Sequence, residues 1–325
     1  MAELGVMIEA QEGLTWERWE ALIDAAERLG YACLRRSDHL GTTVGGAGHE
    51  GLALWPTLTM AALRSRRIRF GQMVSPITWR NPVLMARNAA SLDRLSGGRM
   101  ELGLGAGWNE REHHAYGIPF PPLGQRMDML EEALQVVRLL HSGEPVSFAG
   151  HHYQLHDAVS RPTPTNPSGI PIVIGGSGEK RTLPLAARYA DEWNTNGVTR
   201  DEYRAKSETL DRLCAEVGRD PRAIRRSLMI AHLVGRDRGE LVERVRRLCE
   251  VIPSLRDLSP DAAIAALRER RWLVGTPDEV VEQIAAWQEV GVELFMLQTL
   301  DQTDVAALEL IAAEVMPRVG RSTSR

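Results

Sequence analysis

The stretch RMELGLGAGWNEREHHAYGIPFP, Arg99–Pro121, decides the reading of this chain. A short apolar run, Met100–Leu104, passes straight into Gly105, Gly107 and Trp108. Glycines at a strand exit let backbone N–H groups approach a ligand with no Cβ in the way. Strand exits also collect glycine for purely conformational reasons, so the Gly103-x-Gly105-x-Gly107 run takes its meaning from its surroundings.

Outward from this stretch, short apolar runs alternate about eight times with longer segments of helical period, the order of parallel strands joined by crossover helices. Strands are expected at Leu4–Ile8, Tyr31–Arg36, Ile68–Val74, Met100–Leu104, Ile170–Ile174, Ala190–Thr195, Leu228–Val234 and Val292–Gln298. Between the first two, Trp16, Trp19, Leu22, Ile23, Ala26 and Leu29 recur at three-four spacing, with Thr15 to cap the helix and Gly30 to end it. Asn81-Pro82 and Gly97-Gly98 bracket another helix, and Leu123–Leu140 marks a long amphipathic one. Pro145–Leu155 alternates like an appended hairpin, and Val251–Arg271 is longer than one crossover needs. The fold class is therefore α/β, a (β/α)8 barrel with insertions around 145–168 and 251–275. The second insertion is read as a lid or cavity-shaping element, and residues 1–325 as a single domain.

Composition narrows the function. The 39 Lys and Arg against 43 Asp and Glu leave a net charge of −4, which offers no field for gripping a phosphate backbone, so nucleic acid is not expected as a partner. Cys33, Cys214 and Cys249 are odd in number and widely spaced, fitting reducing cytosol better than a disulfide framework. The acidic N-terminus lacks a basic leader region, and no apolar run approaches membrane-spanning length. A soluble cytoplasmic enzyme acting on a small molecule is the expectation.

Barrel enzymes place their chemistry at the carboxyl ends of the strands. Asp38-His39, after the second strand, sets a carboxylate beside the side chain best suited to proton transfer near neutrality. Equally, Asp38 caps the loop and His39 packs. Gly175-Gly176-Ser177-Gly178 offers consecutive N–H groups before a helix start, an anion site strengthened by Lys180 and Arg181, which are expected in the first helical turn. Met73-Val74-Ser75-Pro76 is a constrained exit. Trp108, Asn109 and Glu110 supply either a substrate wall or a helix cap. The doublets His113-His114 and His151-His152 diverge on any regular element, so neither they nor Glu110, Glu112 and Asp157 are expected to hold a metal. His232 is expected to be a satisfied barrel histidine.

Taken together, Ser37-Asp38-His39, Arg99–Trp108, Gly175–Gly178, Tyr189–Asn194 and Val274–Glu279 resemble the bacterial luciferase-like family, in particular its coenzyme F420 (deazaflavin)-dependent oxidoreductases, over nearly the whole chain. The resemblance implies a luciferase-like barrel whose mouth holds the ring, with the phosphate tail on Ile174, Gly175, Gly176, Ser177 and Gly178. It also implies a non-proline cis peptide between Met73 and Val74, beside Ser75, and a tail path lined by Ala106 and Gly107. His39, oriented by Asp38, would handle the proton that accompanies hydride transfer to or from a C=C, C=N or C=O bond. Trp108 stands where the sugar-phosphate dehydrogenases of the family carry an acid, which implies a flatter, more apolar substrate touching Trp108, Asn109, Glu110 and Trp193. Rival readings are an FMN-dependent monooxygenase fed by a separate reductase, and a non-catalytic carrier. Members of the family are often homodimers.

Overall fold

A computed structural model describes residues 2–44 and 49–319. Eight parallel strands close a barrel: β1 (Glu3–Ile8), β2 (Cys33–Arg36), β3 (Arg69–Gln72), β4 (Met100–Gly105), β5 (Ile172–Gly175), β6 (Glu192–Thr195), β7 (Arg225–Val234) and β8 (Leu294–Thr299). Each pairs with the next, and β8 returns to β1 with Glu3 opposite Leu294. All eight expected strands are present, their ends shifted by up to three residues. Gly45–Gly48, in the glycine-rich sequence that follows His39, lie outside the described residues.

Alternation along the strands sorts the side chains into two environments. Leu4, Val6 and Ile8, with Leu102, Leu104, Ile172 and Ile174, face outward into the main apolar core beneath the helices. Met7, Cys33, Met73 and Met296 form a separate inner cluster. Gly5 is also inside, where a Cβ would lie 2.6 Å from the Cys33 sulfur.

The helices carry the expected termini. In α1 (Trp16–Leu29) the Thr15 hydroxyl accepts from the Arg18 N–H, and Gly30 closes the helix at φ 83°. In α3 (Pro82–Ser96), Asn81 caps, Pro82 occupies the first turn, and Gly97 ends in the left-handed region. A helix α2 (Leu54–Arg64) lies between them. Next come α4 (Glu110–Ala115), α5 (Leu123–His141) and α6 (Thr182–Tyr189). Helix α6 begins after Lys180 and Arg181, so neither sits in its first turn as expected. Helix α7 (Arg200–Glu216) opens with a Thr199–Glu202 capping box, which satisfies two orphan N–H groups reciprocally.

The stretches 145–168 and 251–275 both carry regular structure. The first is a hairpin, Val146–Ala149 against Gln154–Ala158, whose turn gives the His151 and His152 N–H groups to Glu132 on α5. The second holds α9 (Pro260–Glu269), which packs on the preceding helix α8 (Arg238–Val251) around Val245, Leu248, Ile264 and Leu267. The apolar faces of α8 and α9 are spent on this core, and among the described residues Val44 alone belongs both to it and to the cavity at the strand ends. No helix among the described residues is long and apolar enough to cross a membrane.

The glycine run at β4 has a packing reason. A Cβ on Gly103 would lie 2.1 Å from the Gln72 carbonyl oxygen, and one on Gly105 would lie 2.6 Å from Val74 Cγ2. The absent side chains let β3 close on β4 and leave room for Val74 inside the barrel. Gly103→Ala is expected to destabilise the fold by about 1–3 kcal/mol, the usual cost of overpacking, read as a lower urea midpoint at unchanged slope. An unaltered midpoint would show that the strands separate freely.

Candidate active site

A cavity of about 540 Å³ opens at the carboxyl ends of the strands. Its inner wall is apolar, made by Met7, Met73, Val74 and Met229, and its rim brings together His39, Glu112, Trp108, Asn109, Gly175 and Gly176. The histidine after β2 and the double glycine after β5 therefore face one space.

His39 is held by a carboxylate, though a different one from that expected. Its Nδ1 lies 2.8 Å from Glu112 Oε2, and the other Glu112 oxygen accepts from the Leu40 and Gly41 N–H groups. Because a carboxylate only accepts, Nδ1 carries the proton. Nε2 is then the acceptor when the ring is neutral and the donor when it is charged. Burial disfavours the imidazolium, but the Glu112 hydrogen bond and charge, with help from Glu9 and Asp38, outweigh it and raise the His39 pKa above its ordinary value. Burial likewise works against ionised Glu112, and His39 with the two N–H donors reverses this, lowering its pKa.

Asp38 does not orient His39. Its carboxylate takes the Ser75 hydroxyl at 2.5 Å and a bidentate Arg80 at 2.9 and 2.6 Å, which ties the β2 exit to the segment following Val74. The sequence singles out Glu112 only among residues not expected to hold a metal. The usable signal was its place on α4, which starts where β4 ends, so that a residue one turn in can look back across the mouth.

The remaining candidates separate. Met73 and Val74, joined by a cis peptide bond, line the cavity together with Ala106, Gly107, Trp108 and Asn109. Asn109 also caps α4. Trp108 is 68% exposed and meets the His39 ring edge-on, centroids 5.6 Å apart. Ser75 is buried beneath the rim on Asp38, and Glu110 is exposed at the start of α4, away from the cavity wall. Ile174 points outward into the main core.

Trp193 also faces away from the cavity, against Tyr203 of α7. Its side chain alternates to the helix side of β6, so it is not a substrate wall. Its indole N–H instead holds the Gly176 carbonyl at 2.8 Å, while the Gly176 N–H donates to the Asn194 carbonyl at 2.9 Å. Gly176 is thus spent on β6, and the N–H groups of Ser177 and Gly178 make no hydrogen bond among the described residues. Gly176 adopts φ 128°, a conformation that side chains resist.

Two polar groups on the cavity wall lack protein partners: the Thr195 hydroxyl and the Trp79 indole N–H are both buried and unpaired. Buried polar groups of this kind call for a partner. Asn194 is oriented from below, since its amide donates to Ser227 Oγ at 2.8 Å and Ser227 donates to Glu192 at 2.6 Å. That leaves the Asn194 side-chain oxygen, Oδ1, as an acceptor for a bound molecule. A flat heterocycle with donors and acceptors along its edge fits this set, apolar below and polar at the margins.

His232 lies outside the cavity. Its Nε2 lies 3.2 Å from the Thr299 hydroxyl, Nδ1 has no partner, and burial pushes its pKa down to about 4. It is half-satisfied and neutral at physiological pH. His113 is a packing residue, its ring nitrogens 2.7 Å from the Thr78 hydroxyl and the Asn109 carbonyl.

The model of the luciferase-like monooxygenase family matches residues 1–294. The chain belongs to that family and is an oxidoreductase. It is 30% identical over 318 residues to an F420-dependent glucose-6-phosphate dehydrogenase of Intrasporangium calvum, covering 90% of this chain and 91% of that one. Among solved structures it resembles an F420-dependent secondary alcohol dehydrogenase in complex with an F420-acetone adduct, at 22% identity, TM-score 0.82, and coverage of 99% and 100%. It also resembles a type II Baeyer–Villiger monooxygenase of Pseudomonas putida in complex with FMN, at 20% identity, TM-score 0.78, and coverage of 98% and 99%. These two likenesses establish the barrel.

Proposed function

We propose that the protein is an F420-dependent oxidoreductase that moves a hydride between the deazaflavin and a C=C, C=N or C=O bond of a small organic substrate, with His39 giving or taking the accompanying proton. The observation that carries this reading is the convergence of the His39–Glu112 pair and the Gly175–Gly176 turn on one cavity. The relatives named for F420 support it.

Met7, Met73, Val74 and Met229 would hold the ring's face. Thr195, Trp79 and the Asn194 side-chain oxygen would meet its polar edge, and the free N–H groups of Ser177 and Gly178 would take the phosphate. Bound there, the deazaflavin supplies a two-electron hydride donor or acceptor; the protein supplies position and charge. Glu112 fixes the His39 tautomer, so that protonated Nε2 donates to a substrate heteroatom or carbon as it gains hydride. In the reverse direction neutral Nε2 removes a proton. A carrier would have no use for such a pair.

The pH dependence follows from the raised His39 pKa. Since the folded value exceeds the unfolded one, the pair's stabilisation is complete below the unfolded pKa and is lost as pH rises through the folded value. Reduction, which needs the imidazolium, is expected to fall along the same alkaline limb. Glu112→Gln removes the charge that holds the pKa up, moving this limb to lower pH and slowing reduction near neutrality by roughly tenfold per pKa unit lost. A limb that stays in place would mean that Glu112 does not set the His39 charge.

Anaerobic oxidation of reduced F420 by a panel of enones, imines and ketones tests the reaction itself. Oxygen consumption dependent on FMN and a reductase, without turnover of reduced F420, would favour the flavin monooxygenase instead.

A further inference from the structure

On the reading that substrate meets the cofactor in this cavity, we infer that the substrate is uncharged, and that phosphorylated and carboxylated molecules are excluded, although a relative 30% identical is a glucose-6-phosphate dehydrogenase. Among the described residues that line the cavity there is no Lys or Arg. The residues at 45–48, Gly-Gly-Ala-Gly, carry no ionisable side chain.

The nearby guanidinium groups are committed elsewhere. Arg80 is bidentate on Asp38. Arg126 donates to the carbonyls of Pro121 and Gly107 and lies 3.8 Å over the Phe120 ring. Arg111 gives its N–H to the Thr42 carbonyl. Two carboxylates, Glu9 and Glu112, do face the cavity. An entering anion would lose its hydration, find as counter-charge only the His39 imidazolium, which Glu112 already neutralises, and meet like charge at Glu9. The free N–H groups at Ser177 and Gly178 belong to the cofactor's phosphate in this reading.

A cationic substrate is no better served. Glu9 already accepts from Gln298 and Gln11, at 2.5 and 2.9 Å, and both Glu112 oxygens are taken by His39 and the two N–H groups. Two of the lining residues are exposed apolar side chains, Trp108 and Leu123, the latter 61% exposed. A neutral carbonyl compound, or the alcohol it forms, brings no charge into the cavity and can set its oxygen toward His39 and its apolar body against Trp108 and Leu123, which both line it.

Calorimetric titration with a matched pair tests this: methyl 4-oxocyclohexanecarboxylate, which is neutral, and 4-oxocyclohexanecarboxylate, which carries the same ketone and one negative charge. Both are titrated into the purified protein, alone and saturated with oxidised F420 or FMN. The ester is expected to bind at least about tenfold more tightly than the acid, a difference of roughly 1.4 kcal/mol. Leu123→Arg places a guanidinium at the lip and should cut this preference by roughly threefold or more. Equal affinities, tighter binding of the acid, or no saturable binding of either compound while a flavin does bind would overturn the assignment alone. Binding of neither F420 nor FMN would remove the reading on which it rests, and the assignment with it.

Discussion

His39→Ala is expected to lower turnover by roughly 10²–10⁴-fold, the range supplied by a positioned general acid or base, while deazaflavin affinity stays close to that of the parent protein. The split follows from geometry. The imidazole has one nitrogen committed to Glu112 and the other left for the cavity, whereas the apolar wall and glycine turn assigned to the cofactor lie on other strands. Steady-state kinetics alongside a binding titration separates the two effects. Losses of similar size in both would make His39 a binding residue, and the proton would need another source. The side chain is partly exposed at the rim, so the substitution is not expected to unfold the barrel.

The second large effect is on stability. Arg35, fully buried inside the barrel, reaches from β2 to Glu101 on β4 and to Glu192 on β6, with contacts of 2.9 and 2.7 Å to the first and 2.5 and 2.6 Å to the second. Burial opposes the charge on Arg35, but Glu101 and Glu192 raise its pKa well above the ordinary range. Glu192 is lowered despite its own burial, chiefly by Arg35. Arg35→Met leaves the two acids facing each other, with only Arg69 and Arg225 near them, at 3.4 and 3.8 Å. Breaking a buried pair in this way costs about 3–5 kcal/mol, to be read from denaturant unfolding.

The pH dependence of that cost carries a sign. Because the folded pKa of Glu192 is depressed in the parent, its contribution is present above the unfolded pKa and is lost as pH falls through the folded value. Without Arg35 the acid gains a proton more readily. The gap between parent and variant should therefore narrow toward acidic pH. A gap that widens there would mean that the cluster is not held by charge. Adding Glu101→Gln and Glu192→Gln to Arg35→Met is expected to recover part of the loss, since the uncompensated charges are gone.

The barrel was legible because its signals are local. Short apolar runs between helical segments mark the strands, while Thr15, Asn81 and Gly97 act through their own backbone, and each appears where the pattern puts it. The meeting of His39 with the glycine turn followed from the rule that strand ends share a rim. What the pattern could not supply was pairing across the barrel. Asp38 adjoins His39 in sequence but is drawn off by Arg80 and Ser75, while Glu112, 73 positions away, comes back over the mouth on α4. Trp193 failed for a related reason: alternation places one of two neighbours inside, and nothing local says which. Its neighbour Asn194, with an amide that leads through Ser227 to the buried Glu192, was the inward residue.

The account depends on the cavity holding a deazaflavin ring between the histidine rim and the double glycine. Parallel fluorescence titrations of the purified protein with oxidised F420 and with FMN measure this directly. Saturable binding of F420, at least about tenfold tighter than FMN on the scale where 1.4 kcal/mol is one decade, is the predicted result. FMN binding tighter than F420, or F420 showing no saturation, would contradict it.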